Sequence, residues 1–315
     1  MHIPDGFLDV RTAAAGWLVA GGCTALACRR VRAAIEPRHV PLLGLSAAAV
    51  FAAMTLNFPV AAGTSGHLLG GVLVAVMLGP GAGLIVMTAV LAVQCLLFAD
   101  GGVVALGANV FNMGVVGTMG GYGIYRLVRR YARGTRGMLM ATAFASWCSV
   151  VCAAFACSIE LAASGTAPFR VVVPAMLGVH MLIGLGESVI TASVLFALAR
   201  TRPDLLERNR PATGSASYAS AMIYGLLIAV GLALFASSFA SSLPDGLERV
   251  AHDLGFVGKA IESPLVPSPI PDYAMPGIRS PLLATALASV IGTLIMFAVS
   301  WAIARALVRR RNSGS

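Results

Sequence analysis

Long apolar stretches separated by short polar breaks dominate this chain, and their lengths set the first expectation. Nine hydrophobic helices are predicted, at 12–28, 41–57, 68–79, 82–99, 105–125, 138–162, 173–199, 218–240 and 281–308. A membrane span needs about 20 mostly apolar residues, so these stretches read as spans, with 68–79 short for one. The fold class expected is an all-α polytopic membrane protein. The polar breaks divide it further. Residues 1–200 form a seven-helix unit, and 201–217 an Arg-rich linker ending in Gly214-Ser215-Ala216-Ser217. Residues 218–308 form a two-helix hairpin that holds a segment rich in Pro, Ser and acidic residues at 241–280, and 309–315 form a tail.

Composition agrees with the pattern. Hydrophobic residues make up 58% and charged residues 11%, whereas soluble domains carry roughly 25% charged residues. The net charge of +9 does not point to nucleic acid, because the basic residues sit in short blocks between apolar stretches, as positive-inside anchors do. With the N-terminus outside, 17 of the 22 basic residues fall in inside segments at 29–38, 126–136, 200–210 and 305–311. The other five are Arg11, Arg170, Arg249, Lys259 and Arg279. The expected topology is therefore N-terminus out and C-terminus in, across a cytoplasmic membrane, with lipid as the surrounding partner. The six cysteines lie in or at the ends of apolar stretches and read as small buried residues. Cys148 and Cys152 are four apart and lack the usual CxxC metal spacing.

The chemistry begins at residue 1. Met1-His2-Ile3-Pro4-Asp5-Gly6 places an imidazole next to a free α-amine. The amine, the His2 backbone nitrogen and His2 Nδ1 can close two fused chelate rings on one ion, an arrangement suited to Ni(II), Cu(II) or Co(II). The alternative is a histidine in a disordered tail. A second polar stretch, Asn57-Phe58-Pro59 through Gly63-Thr64-Ser65-Gly66-His67-Leu68-Leu69-Gly70-Gly71, starts on the same side of the membrane in this topology. Its glycines let the backbone bend, and His67 offers a fourth nitrogen. Alternatively, His67 caps the following helix or bonds a carbonyl. The chain has no GxxxxGK[ST] loop, no HExxH and no paired-carboxylate catalytic motif. It is expected to be neither an ATPase nor another enzyme.

These stretches carry a resemblance. Met1 through Leu8 and Asn57 through Leu68 are similar to the substrate-capturing membrane component of energy-coupling-factor nickel/cobalt transporters, the CbiM/NikM type. Gly107-Ala108-Asn109-Val110-Phe111-Asn112-Met113-Gly114, and His180 through Gly184-Leu185-Gly186-Glu187 to Thr191, resemble two further signatures of that family. Ser242-Leu243-Pro244-Asp245-Gly246-Leu247-Glu248 resembles the hallmark of the small accessory component, the CbiN/NikN type. The resemblance thus implies a fusion of the two components over nearly the whole chain. It implies that Met1, His2 and His67 hold the metal. It implies capture of Ni²⁺ or Co²⁺ as a transported substrate, with no permanently bound cofactor. It also implies a partner transmembrane coupling subunit and two cytoplasmic ATPases that use the ATP.

The remaining polar residues leave alternatives open. Asn109 and Asn112, three apart, share a helical face. Either they bond the N-terminal segment or the His67 loop around the metal, or they join helices. Asn57 is a further supporting candidate, and His67 should find a partner for its other ring nitrogen. His180 and Glu187, seven apart, also share a face; they are metal relays, coupling contacts, or a buried hydrogen-bonded pair. Asp245 and Glu248 are either direct ligands or part of a turn that docks the hairpin on the seven-helix unit. Two rival functions stand beside transport by a larger complex. One is a self-contained ion-coupled carrier relying on Glu187. The other is a membrane metal sensor or structural subunit.

Overall fold

The computed structural model describes residues 1–37, 39–60, 63–206, 215–236, 241, 243–261 and 265–312, except the side chains of 215–219, 221, 236 and 310–312. Among these residues the architecture is helical, apart from one small hairpin. The order is α1 (Val10–Ala34), α2 (His39–Met54), β1 (Asn57–Val60), β2 (Thr64–His67), α3 (Gly71–Leu78) and α4 (Pro80–Phe98). There follow α5 (Leu106–Asn109), a π-helical stretch (Val110–Gly120), α6 (Gly121–Tyr131), α7 (Gly134–Ala163) and α8 (Phe169–Thr201). The last part holds α9 (Ser215–Gly231), α10 (Gly246–Asp253) and α11 (Pro281–Asn312).

The ends of these helices have identifiable causes. The Asp9 carboxylate accepts from Thr12 N at 3.0 Å and starts α1. Gly79 separates α3 from α4, and Pro80 opens α4 at a position where its missing N–H costs nothing. α3 is therefore only eight residues long, about 12 Å. Asp245 caps α10 through Glu248 N at 2.8 Å. In the π-helical stretch the Thr118 hydroxyl donates to the Met113 carbonyl, five residues back, at 2.9 Å.

Packing relies on close helix–helix approach. A methyl group on Gly107 would lie 2.4 Å from Trp17 N, so α5 and α1 meet backbone to backbone there. α7 and α8 are tied by Trp147 Nε1 donating to Met181 O at 3.1 Å and by Ser188 Oγ donating to Ala143 O at 2.8 Å. The core runs through α2 and α4, with Phe51, Leu84, Met87, Leu91 and Phe98 fully buried.

Several expectations change. By length and composition, four helices among the described residues can cross a membrane: Pro80–Phe98, Gly134–Ala163, Phe169–Thr201 and Pro281–Arg309. His39–Met54 and Met222–Phe235 are apolar but shorter. The predicted helix 41–57 ends at Met54, because the chain turns into the β1–β2 hairpin. Asn57 thus pairs with His67 across antiparallel strands instead of ending a span. Helix α9 starts at Ser215, inside the predicted linker, while residues 207–214 of that linker lie outside the described residues. α11 runs into the predicted tail as far as Asn312, and residues 313–315 lie outside the description.

Candidate metal centre

One end of the bundle collects the N-terminal segment, the hairpin, the α4–α5 turn, the α7–α8 turn and the segment around α10. The N-terminal segment is pinned at alternate residues. Asn109 brackets Ile3, accepting from Ile3 N at 2.8 Å and donating from Nδ2 to Ile3 O at 3.1 Å. Gly102 N donates to Ile3 O at 2.9 Å. The buried Asp5 carboxylate accepts from Val103 N (3.1 Å), Val104 N (2.9 Å) and Ala105 N (3.3 Å) where α5 begins. Ile261 N donates to Asp5 O at 2.9 Å, and the Thr166 hydroxyl donates to Phe7 O. A buried carboxylate with three N–H donors is an anchor, because losing it would orphan those donors.

This anchoring carries Met1 into the protein. Its side chain is buried, and its α-ammonium donates to His67 Nε2 at 3.0 Å and to Asp245 Oδ2 at 2.6 Å. The His2 ring lies 5.2 Å from the His67 ring, centroid to centroid, with its side chain 6% exposed. No hydrogen bond among the described residues takes up the His2 backbone N–H. His2 Nδ1 is 3.6 Å from Asp100 Oδ1, too far for a hydrogen bond. His67 Nδ1 approaches Leu68 O at 3.3 Å. That contact and the ammonium on Nε2 assign the proton of His67 to Nδ1. The partner expected for its other nitrogen is therefore a backbone carbonyl.

Burial dominates the electrostatics. Desolvation, reinforced by the neighbouring α-ammonium, lowers His2 and His67 to about 3, so both rings are neutral lone-pair donors at ordinary pH. Burial pushes Asp245 up, but the ammonium and the Glu248 N–H outweigh it and hold it below the usual carboxylate range. Burial raises Asp100, against a hydrogen bond from the Tyr273 hydroxyl at 2.7 Å.

The hairpin that presents His67 is held from two sides. Ser65 N and Oγ donate to Pro244 O (2.8 Å) and Leu243 O (2.7 Å), so the segment leading into α10 docks on the strand. Behind His67, Leu69 N and Gly70 N donate to the buried Glu187 carboxylate at 2.7 and 3.0 Å, just before α3. An anion at a helix N-terminus is well placed.

The predicted site residues thus separate. Met1, His2 and His67 come together, and Asn109 supports them through Ile3. Asn112 faces elsewhere, donating to Glu160 at 2.6 Å. Asn57 contributes its backbone carbonyl to Ser241 N at 2.7 Å. His180 and Glu187 do not bond each other. His180 Nδ1 meets Met176 O at 2.8 Å, and Glu187 holds the turn before α3. Among the described residues, no three His, Cys, Asp or Glu side chains form a metal cluster, Cys148 and Cys152 included. Asp245, expected either as a ligand or in a turn that docks the hairpin, pairs with the Met1 amine while the residues before it dock on Ser65; the sequence reading did not single out Asp5 or Asp100. The one local signal for Asp245 was an acidic residue three positions before Glu248, the pattern of a helix cap.

The family model described as the cobalt uptake substrate-specific transmembrane region, CbiM, matches residues 2–205, and the PDGLE domain model matches residues 219–309. A chain of Archaeoglobus fulgidus that bears the name of fused nickel transport protein NikMN is 36% identical over 97% of this chain and 98% of its own length. The fused nickel transport protein NikMN of Rhodobacter capsulatus is 30% identical over 98% of this chain and 99% of its own. A crystal structure described as a transition metal transporter superposes with a TM-score of 0.59 at 30% identity, covering 70% of this chain and 98% of that one.

Proposed function

The chain belongs to the CbiM cobalt-uptake family, joined to a PDGLE domain, as a multi-pass nickel/cobalt transport protein, and from that premise we propose that it is the ion-capturing component of an ATP-driven energy-coupling-factor complex. The ion is Ni²⁺ or Co²⁺. Its ligands are the Met1 amine, the His2 backbone nitrogen, His2 Nδ1 and His67 Nε2. One observation carries the reading: the Met1 nitrogen lies 3.0 Å from His67 Nε2. Metal–nitrogen bonds of about 2.0 Å put adjacent donors of a planar array about 2.8 Å apart. The two nitrogens are thus spaced as neighbours around one ion. Four nitrogens in a plane suit these ions and reject Mg²⁺ and Ca²⁺, which take oxygen.

Asp245 neutralises the ammonium when no ion is present. On binding, the amine and the amide give up one proton each, and the ion replaces the ammonium in this pocket. Residues 1–200 form the capturing unit and 218–308 the accessory hairpin, whose Asp245 reaches the site. The N-terminus faces outside and the C-terminus the cytoplasm, in keeping with the distribution of arginines. A coupling subunit and two ATPases supply the energy, since this chain carries no phosphate-binding loop.

The test uses three proteins: one with its native N-terminus, one with a single glycine before Met1, and one tagged after Ser315. Each is exposed to Ni²⁺ or Co²⁺, and metal content is measured. The native and C-terminally tagged forms should load one ion. The glycine-extended form should lose about three orders of magnitude in affinity, or about 4 kcal/mol, because its Met1 nitrogen is a peptide nitrogen. Full loading of the extended form would reject the N-terminal chelate.

A further inference from the structure

His180 has a feature that the four-nitrogen site does not use. It sits on α8, buried, about 16 Å along the helix from the Phe169 end. Its Nδ1 is 2.8 Å from Met176 O, a contact that requires the proton on Nδ1. The lone pair is then on Nε2, and Nε2 has no hydrogen-bond partner among the described residues. Metal-binding histidines share this arrangement, one ring nitrogen fixed on a carbonyl and the other bare. The bare nitrogen faces a particular place. A cavity of about 10 Å³ is lined by Met1, His67, His180, Ile183, Asp245 and Gly246, among others. That is room for about one water molecule or one small ion. Gly246 keeps it open: a methyl group there would lie 2.8 Å from His180 Nε2.

We propose that His180 Nε2 is the first inward station of the transported ion, which leaves the Met1–His2–His67 site by passing to this imidazole. The proposal rests on the capture site described above. A planar ion is open along its axis, so an entering ligand attacks there before an old one leaves. The Nε2 lone pair forms the new metal–nitrogen bond, the bond to the Met1 amine breaks first, and those to the His2 amide nitrogen, His2 Nδ1 and His67 Nε2 break as the ion moves on. The ion keeps its charge, the freed amine and the His2 amide each take back from solvent the proton they gave up on binding, and the ammonium returns to Asp245. Glu187 is no rival for this step, since the Leu69 and Gly70 N–H groups occupy its carboxylate.

The experiment separates capture from passage. Ni²⁺ affinity is measured on purified protein with a native N-terminus, and Ni²⁺ uptake in cells that express the complete transporter. The variants are His180→Gln, which can keep an N–H on Met176 O but is a poor ligand, and His180→Cys, which restores a metal-binding atom. His180→Gln should keep its affinity within about threefold while its maximal uptake rate falls at least about tenfold, equivalent to about 1.4 kcal/mol. His180→Cys should recover uptake above the Gln variant. Unchanged uptake in His180→Gln would overturn the proposal. So would an equal loss of affinity and uptake, or uptake in His180→Cys no higher than in His180→Gln; those outcomes make His180 a structural residue. Failure of the parent protein to bind Ni²⁺ would instead reject the capture site itself.

Discussion

Two cavities in this molecule differ by more than an order of magnitude in size, and the smaller one is lined by the Met1, His67 and His180 nitrogens. The larger, about 310 Å³, lies among α1, α2, α4 and the turn at Leu205, and residues such as Leu26, Leu42, Met77 and Leu78 line it. The smaller, about 10 Å³, lies between Met1, His67, His180 and Asp245. The two share no lining residue. Volume is a fair guide to sites for organic ligands, which bury much apolar surface. A metal ion needs almost no volume. It needs donors at bond distance, desolvated and held still. The comparison therefore says to rank cavities here by lone pairs instead of by space.

The strongest way to break that comparison is His67→Ala. It removes one of four nitrogens and should weaken Ni²⁺ binding about a thousandfold, near 4 kcal/mol, with helicity retained because His67 sits on a four-residue strand. Unchanged affinity by calorimetric titration would move the site elsewhere.

Acidity gives the next largest effect. His2 and His67 are already neutral down to about 3, so protons compete with the metal for neither ring in the range where the protein is handled. The ammonium and the amide must still each release one proton. Affinity should therefore rise with pH by about a hundredfold per unit, two protons per ion, and not by four. Chelator competition between about pH 6 and about pH 8 measures the slope. A slope near four would mean that both imidazoles are protonated before the ion arrives.

Asn109 and Asn112 test how local the small site is. Asn109→Ala removes two of the three bonds that hold the Ile3 backbone and should cost Ni²⁺ affinity about thirtyfold, within the range for residues that orient ligands. Asn112→Ala should leave affinity within about threefold and lower stability by about 1 kcal/mol, since it strips the half-buried Glu160 of its partner. Equal losses of affinity would show that the network is one unit.

That pair also shows where the sequence was readable. The apolar runs announced the helices, and the ordered motifs at 1–8 and 57–68 announced the three residues that meet. The shared face expected of Asn109 and Asn112 assumed an ordinary helical repeat. Asn109 ends α5, whereas Asn112 lies in the wider π-helical stretch that follows, and the extra winding turns it toward Glu160. The hairpin was invisible because its strands are four residues each, and one of them, Thr64–His67, is buried throughout, so no alternating pattern marks it. Asp245 lies 244 residues from the amine it pairs with. Its local pattern says helix cap, and only tertiary folding supplies the ammonium. His180 and Glu187 do share a helix, but each meets a backbone partner first.

The smallest expected effect is the sharpest control. Met77 lines the large cavity from the end of α3, a helix of eight residues, about 12 Å long. The other end of that helix is the turn that Glu187 holds, directly after His67. If the large cavity mattered to the ion, α3 would be the short rigid rod that connects them. Met77→Phe replaces a flexible chain by a bulkier ring. In a filled core such a change costs about 1–3 kcal/mol, but here a cavity adjoins the side chain and can take the ring. Stability should therefore change by less than about 1 kcal/mol, and Ni²⁺ affinity by less than about twofold, because the Glu187 clamp fixes the His67 turn whatever happens at the far end. Affinity and thermal unfolding measured on one preparation decide it. A tenfold loss of affinity in a stably folded Met77→Phe protein would mean that α3 couples the two cavities, and the division between the large cavity and the donor-lined site would have to be abandoned.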